Sequence, residues 1–218
     1  MEPDPAPTWL DRMGDKVNAR RLMAQQGMPT FVGSDLITDV NSAREAAQRI
    51  GFPLVVKPSG GGGGMGMQVV EHMGDLEAAL AQAQAVANAA FANGGLYLER
   101  WIEKPRHIEY QILADEYGNA MHLYERECSV QRRHQKLIEE SPAPGIDAKV
   151  LREQAQRGAD ICAQLGYNNL GTMETLYSDG DSGFLEMNTR IQVEHGVTEE
   201  VTGIDLVQQQ ILLSAGAD

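Results

Sequence analysis

The chain has 218 residues, with 18 Lys plus Arg against 31 Asp plus Glu and a formal charge of −13. Its 42% hydrophobic residues can bury a core, which excludes wholesale disorder, and the length suits one large domain or two small ones. So acidic a surface excludes sequence-independent binding of nucleic acid or of an anionic membrane, and any phosphate ligand has to be met by locally concentrated cations.

Residues 1 to 10 have no periodicity and read as a tail or as the frayed end of something larger. From Asp11 to Gln26, apolar Met13, Val17, Leu22 and Met23 recur at near-helical spacing, stopped by Gly27 and Pro29. A second helix is expected from about Ser42 to Ile50, then strands at PLVVK (53–57) and QVVE (68–71). The Ala-, Leu- and Gln-rich stretch from Asp75 to Asn93 is the strongest helix signal. Strands follow at LYLERWI (96–102), HIEYQILA (107–114) and AMHLYERE (120–127), the last two paired across the turn DEYGN. Asp147 caps a helix to about Leu165, GTMETLY and GFLEMN are joined by SDGDS, and a helix from Asp205 to Ala215 ends the chain. Helices mixed with antiparallel strands, without regular βαβ alternation, predict an α+β fold with a seam near Pro105. No apolar run approaches the roughly 18 residues of a membrane span, and MEPDPAPTW is unlike a signal peptide, so a cytoplasmic protein is expected. Cys128 and Cys162 lack metal or redox spacing and read as reduced and structural.

Four features carry chemistry. The first is SGGGGGMGM (59–67), preceded by Lys57, where consecutive glycines leave bare backbone N–H groups free to close on phosphate oxygens. Lys stands before the glycines and no helix start follows, so this is neither a Walker A loop nor a Rossmann fingerprint; it reads as a strand-to-strand phosphate lid, with a floppy linker as the plainer alternative. The second is the hairpin around Gly180: an odd loop centred there sets Glu174 opposite Glu186, roughly 5 Å apart, where a hard divalent cation with Asn188 nearby relieves their repulsion. An even loop moves these carboxylates apart. The third is the continuation of that strand, in which even positions 186 to 194 are Glu, Asn, Arg, Gln and Glu; Arg190 can grip a small oxyanion and Glu194 can act as its base. The fourth is RECSVQRRHQK (126–136), whose Arg126, Arg132, Arg133, His134 and Lys136 reverse the local sign of charge, as a nucleotide site requires; a charged edge strand is the plainer alternative.

Together the segments MGDKVNAR (13–20), KPSGGGGGMGM (57–67), RHIEYQIL (106–113), ECSVQRRHQK (127–136), EESPAPGI (139–146) and EMNTRIQVEH (186–195) resemble the biotin carboxylase family of ATP-grasp enzymes, with MNTRIQVEH more like the acyl-CoA carboxylases. The resemblance implies an ATP-grasp fold with a tail and connecting helix over 1–29, a small lobe with the glycine lid over 30–104 and a large lobe with the metal and bicarbonate site over 105–218. It implies phosphorylation of bicarbonate by ATP, then carboxylation of biotin on a carrier protein, alongside a carboxyltransferase subunit. By motif position Lys16, Lys57, His107 and His134 serve the nucleotide with Gly62, Gly63, Gly64 and Met67 of the lid, while Glu99 and Ile102 lie at the adenine. Lys136 lies near the γ-phosphate and bicarbonate, and Glu174, Glu186 and Asn188 hold Mg²⁺ or Mn²⁺. Arg190, Gln192 and Val193 bind bicarbonate, which Glu194 deprotonates. Met65 stands where the family usually has Arg, and Gly196 where Pro is usual. Full members carry further domains on both sides, so the chain reads as the core of such an enzyme. The alternatives are a carbamoyl phosphate synthetase-like ligase and a nucleotide-binding module inactive without those domains.

Overall fold

The computed structural model of the protein describes residues 7–60, 63–90 and 94–217. Its first helix, α1 (Pro7–Gly14), lies partly within the stretch expected to be a tail. Trp9 is the reason: it is 4% exposed and meets Tyr167 edge to face with ring centroids 5.4 Å apart, so burial of the indole outweighs the breaks in pattern around it. The single helix expected from Asp11 to Gln26 is in fact two. The Asp15 carboxylate accepts from the Asn18 amide at 2.9 Å and starts α2 (Lys16–Gln25) afresh.

The chain divides into two compact units. One comprises Gly14–Asn18 and Phe31–Lys104. Here β1 (Leu54–Pro58) is buried along its length, at the centre of an antiparallel sheet between β2 (Gln68–Val70) and β3 (Leu96–Arg100). Helices α3 (Val40–Ile50), with an Asp39–Ser42 capping box, and α4 (Leu76–Ala90) present mostly alanines to this sheet. Small residues let both helices lie close to Leu54, Val56 and Leu98, so Val55 and Lys57 alternate to the face away from the helices. The continuation of α4 expected as far as Asn93 falls outside the described residues.

The second unit contains Ala19–Thr30 and the chain from Pro105 onward. Its strands are β4 (Arg106–Ala114), β5 (Ala120–Arg132), β6 (Gln135–Glu140), β7 (Asn169–Ser178) and β8 (Asp181–Asn188), antiparallel in the order β6-β5-β4-β7-β8. Helix α5 (Ala148–Leu165), capped by Asp147, buries Leu151, Ala155, Ala159 and Cys162 with Ile108, Tyr110, Ile112 and Met173. The alternate residues of β4, namely His107, Glu109 and Gln111, therefore occupy the other face. Helices α6 (His195–Thr202) and α7 (Leu206–Ser214) complete the unit, and Leu206 packs with Leu113, Leu123 and Leu170.

Strand β5 extends beyond the expected end and returns as β6, an element the sequence reading did not contain. The turn is Arg133–His134, both left-handed with φ of 53° and 61°, a geometry usually signalled by Gly or Asn.

Candidate functional site

The β7–β8 hairpin sets two carboxylates face to face by a route other than the one expected. Its turn is not odd but two residues long: Asp179 and Gly180 have φ of 52° and 93°, and Ser178 pairs with Asp181. An even loop alone moves Glu186 out of line with Glu174. A bulge past Thr175 and Phe184 inserts one residue on the β8 side and restores the pairing Glu174↔Glu186. Both Phe184 and Met187 thereby reach the hydrophobic core, which three-residue spacing forbids in a regular strand.

Successive registers extend this pair into a row. Arg126 on β5 pairs with Glu109 on β4, Glu109 with Glu174 on β7, and Glu174 with Glu186 on β8. Lys136, brought over by β6, donates to Glu109, to Glu174 Oε1 at 2.9 Å and to Glu194 Oε1 at 2.6 Å. Glu174 Oε1 also accepts from Asn188 Nδ2 and Gln192 Nε2, each at 2.9 Å, while His107 Nε2 lies 2.8 Å from Oε2. Burial pushes the Glu174 carboxyl up, but His107 and Lys136 together hold it well below the ordinary carboxylate range. Burial likewise opposes the charge of Lys136, and Glu174 and Glu109 outweigh it, raising the ammonium above the usual lysine range.

Strand β8 stops at Asn188, so the polar face expected to run through Glu194 is not a strand face. Residues 189–194 form a bend and turn leading into α6. Gln192 and Glu194 fold back into the cluster, whereas Arg190 is exposed and donates to Ile191 O at 3.1 Å, and Val193 is 95% exposed. Only the Val193 backbone is thus suited to a buried ligand. His134 sits exposed in the β5–β6 turn.

Sequence reasoning missed Glu109, although the alternation of HIEYQIL, with His107, Glu109 and Gln111 against Ile108, Tyr110 and Ile112, contained the signal. It also misplaced Arg126, which is not part of a solvated basic patch: its side chain is 0% exposed and paired with Glu109. Arg132 and Arg133 are exposed as expected of that segment.

In the other unit, Lys57 donates to Glu99, both buried, on the helix-free face of β1 and β3. Ser59 follows with a buried hydroxyl that has no partner among the described residues, and its carbonyl accepts from the Lys16 amide at 3.1 Å. In the lid, Gly63 and Gly64 have φ of 65° and 69°, and Met67 N donates to Gly64 O at 3.3 Å. At Gly66, φ is 78° and a Cβ would lie 3.1 Å from Val86 Cγ1, so glycine is required by conformation and by packing. Gly62 lies outside the described residues, and Ile102 follows β3 half-buried.

The donors suit a hard divalent cation. Glu174 is held ionised, as a ligand must be, Glu186 stands directly across from it, and Asn188 offers an amide oxygen on rotation of its side chain. His107, Glu109 and Glu174 also bring possible ligand atoms within 4.8 Å of one another.

Two antiparallel sheets with helices, one carrying a glycine-rich lid and the other a carboxylate–lysine cluster, define an ATP-grasp protein. Residues 15–218 match the family model described as carbamoyl-phosphate synthase L chain, ATP binding domain, and the chain belongs to that family. It is similar to the biotin carboxylase of Haemophilus influenzae, 52% identical over 206 residues, or 94% of this chain and 46% of that protein. Among solved structures, a Campylobacter jejuni biotin carboxylase in complex with β-γ-ATP matches with a TM-score of 0.96 and 43% identity, over 99% of this chain and 49% of that one. The biotin carboxylase domain of Hydrogenobacter thermophilus 2-oxoglutarate carboxylase, with MgADP, ADP and bicarbonate, matches with a TM-score of 0.95 and 42% identity, over 98% and 48% of the respective chains. Pyruvate carboxylases are also among the relatives, so the similarity is not confined to acyl-CoA carboxylases. The chain spans about half the length of the curated biotin carboxylase it matches.

Proposed function

We propose that the chain is the ATP-grasp core of a biotin carboxylase, with lobes at 30–104 and 105–218, activating bicarbonate with ATP and carboxylating biotin on a carrier protein. The observation that carries this is Lys136 held at once by Glu109, Glu174 and Glu194: a cation fixed beside a carboxylate that can serve as base. In this reading Lys16, Lys57, His107, His134 and the lid amides bind the nucleotide's phosphates, and Glu99 and Ile102 meet its base. Gln192, Arg190 and the Val193 backbone orient bicarbonate. Glu194 takes its proton, so that its oxygen attacks the γ-phosphorus, the bridging oxygen leaves with ADP, and carboxyphosphate forms. Carboxyphosphate then breaks into CO₂ and phosphate, the phosphate takes the proton of the biotin ureido N–H, and that nitrogen bonds the CO₂. Lys136 balances charge on the transferring group throughout. Glu174, Glu186 and Asn188 would hold Mg²⁺, which would supply further charge neutralisation during the transfer. A biotin carboxyl carrier and a carboxyltransferase are the partners, and the cytoplasm is the proposed location. Among the described residues no helix is long and apolar enough to cross a membrane.

The test is ATP hydrolysis that requires bicarbonate, rises with free biotin, and falls about 100-fold or more in Glu194→Gln or Arg190→Ala. Equal hydrolysis without bicarbonate rejects the proposal. The match to the carbamoyl-phosphate synthase L chain ATP binding domain favours one second reading, a carbamoyl phosphate synthase-like ligase, which ammonia dependence in place of biotin dependence selects.

A further inference from the structure

We propose that Arg126 is a positioning residue for the oxyanion site, acting through Glu109 and Gln192; this rests on the carboxylase reading above. The side chains of Arg126 and Glu109 are both 0% exposed. Arg126 Nε donates to Glu109 Oε1 at 2.5 Å, and Nη1 to Gln111 Oε1 at 2.8 Å and Thr198 Oγ1 at 2.7 Å. Nη2 reaches Thr172 Oγ1 and Gln192 Oε1, each at 3.4 Å. Every N–H of the guanidinium thus has a protein acceptor, and none is left to face a ligand. The acceptors lie on β4, β7, the loop after β8, and α6.

Two of them continue to the reacting region. The second oxygen of Glu109 accepts from Lys136, and the amide nitrogen of Gln192 donates to Glu174 Oε1 at 2.9 Å. Arg126 therefore fixes the side of Glu109 that Lys136 meets, and turns the Gln192 amide so that its nitrogen points into the cluster. A lysine in its place keeps the charge but lacks the planar fork needed to hold both at once.

The experiment is Arg126→Lys. The KM for bicarbonate rises about tenfold or more, while the KM for ATP stays within about twofold, a split that general destabilisation does not produce. Independently of turnover, the slowly exchanging ¹H–¹⁵N ammonium signal of Lys136, assigned by its loss in Lys136→Met, disappears in Arg126→Lys. Thr198→Val removes a single acceptor at nearly constant volume and raises the bicarbonate KM about threefold, which keeps the test decisive if Arg126→Lys does not fold. An unchanged Lys136 signal together with unchanged KM values overturns the proposal. Wild-type hydrolysis that proceeds equally without bicarbonate overturns the carboxylase reading instead, and the Lys136 signal then decides the positioning role alone.

Discussion

Glu174 is buried, yet it remains ionised because Lys136 of β6, Asn188 of β8 and Gln192 beyond β8 donate to it while His107 of β4 lies beside it. That has a consequence for acid stability. An unfolded glutamate takes up its proton near pH 4.5, whereas folded Glu174 resists protonation to lower pH. Its stabilisation is therefore complete above about pH 4.5 and is lost as pH falls below that value toward the depressed folded value. Urea midpoints measured from pH 6 to pH 3 fall more steeply in wild type than in Glu174→Gln. Lys136 works in the opposite sense: its contribution is complete below the ordinary lysine value of 10.5 and declines as pH rises above it. The thiols supply a separate check. Burial pushes Cys162 up to about 12, and burial with Glu109 nearby pushes Cys128 up as well. Neither is expected to react with a disulfide reagent at pH 8 before urea unfolds the chain. At this scale Glu174, Lys136 and Glu194 were legible because their residue types stood at motif spacing. Arg126 was not, since its neighbours Arg132 and Arg133 do face solvent and a run of cations does not reveal which member turns inward.

The elements were legible wherever one periodicity held. Helices α3, α4, α5 and α7 lie within a few residues of their expected bounds, because alanine-rich or capped stretches agree with the packing around them. The β7–β8 hairpin was placed correctly by its turn residues, but it departs from the expected register twice, by an even turn and by a bulge, and the two departures cancel. Strand alternation alone gives no sign of such a pair. Gly171, near the start of β7, is a further feature that packing explains, since a Cβ there would lie 2.4 Å from the Tyr167 hydroxyl and 2.6 Å from Met187 Cε. The Tyr167 ring is itself buried and its hydroxyl donates to Leu170 O at 2.9 Å, so it has little room to yield. Gly171→Ala is expected to lower unfolding free energy by about 1–3 kcal/mol through overpacking, read from the shift in denaturant midpoint.

For the whole molecule, the α+β character followed from the order of elements, while the course of residues 189–194 did not, because a turn that folds polar side chains inward has no period to read. Net charge acts at this scale too. The chain carries −13 at neutral pH and has a sequence pI of about 4.8, so mutual repulsion between molecules weakens toward that pH. Light scattering at fixed protein concentration should show association rising as pH approaches 4.8 and reversing with return to neutrality. The charged row across β5, β4, β7 and β8 has a different implication. Its members are separated in sequence by up to 77 positions, 186 minus 109, and meet only if three strand alignments are each correct. A slip by one place in any of them leaves the sheet content, and hence the far-ultraviolet dichroism, almost intact while dispersing the charges. The joint contact of Lys136 with Glu109, Glu174 and Glu194 is thus a stricter criterion of correct refolding for this chain than any spectrum of its backbone.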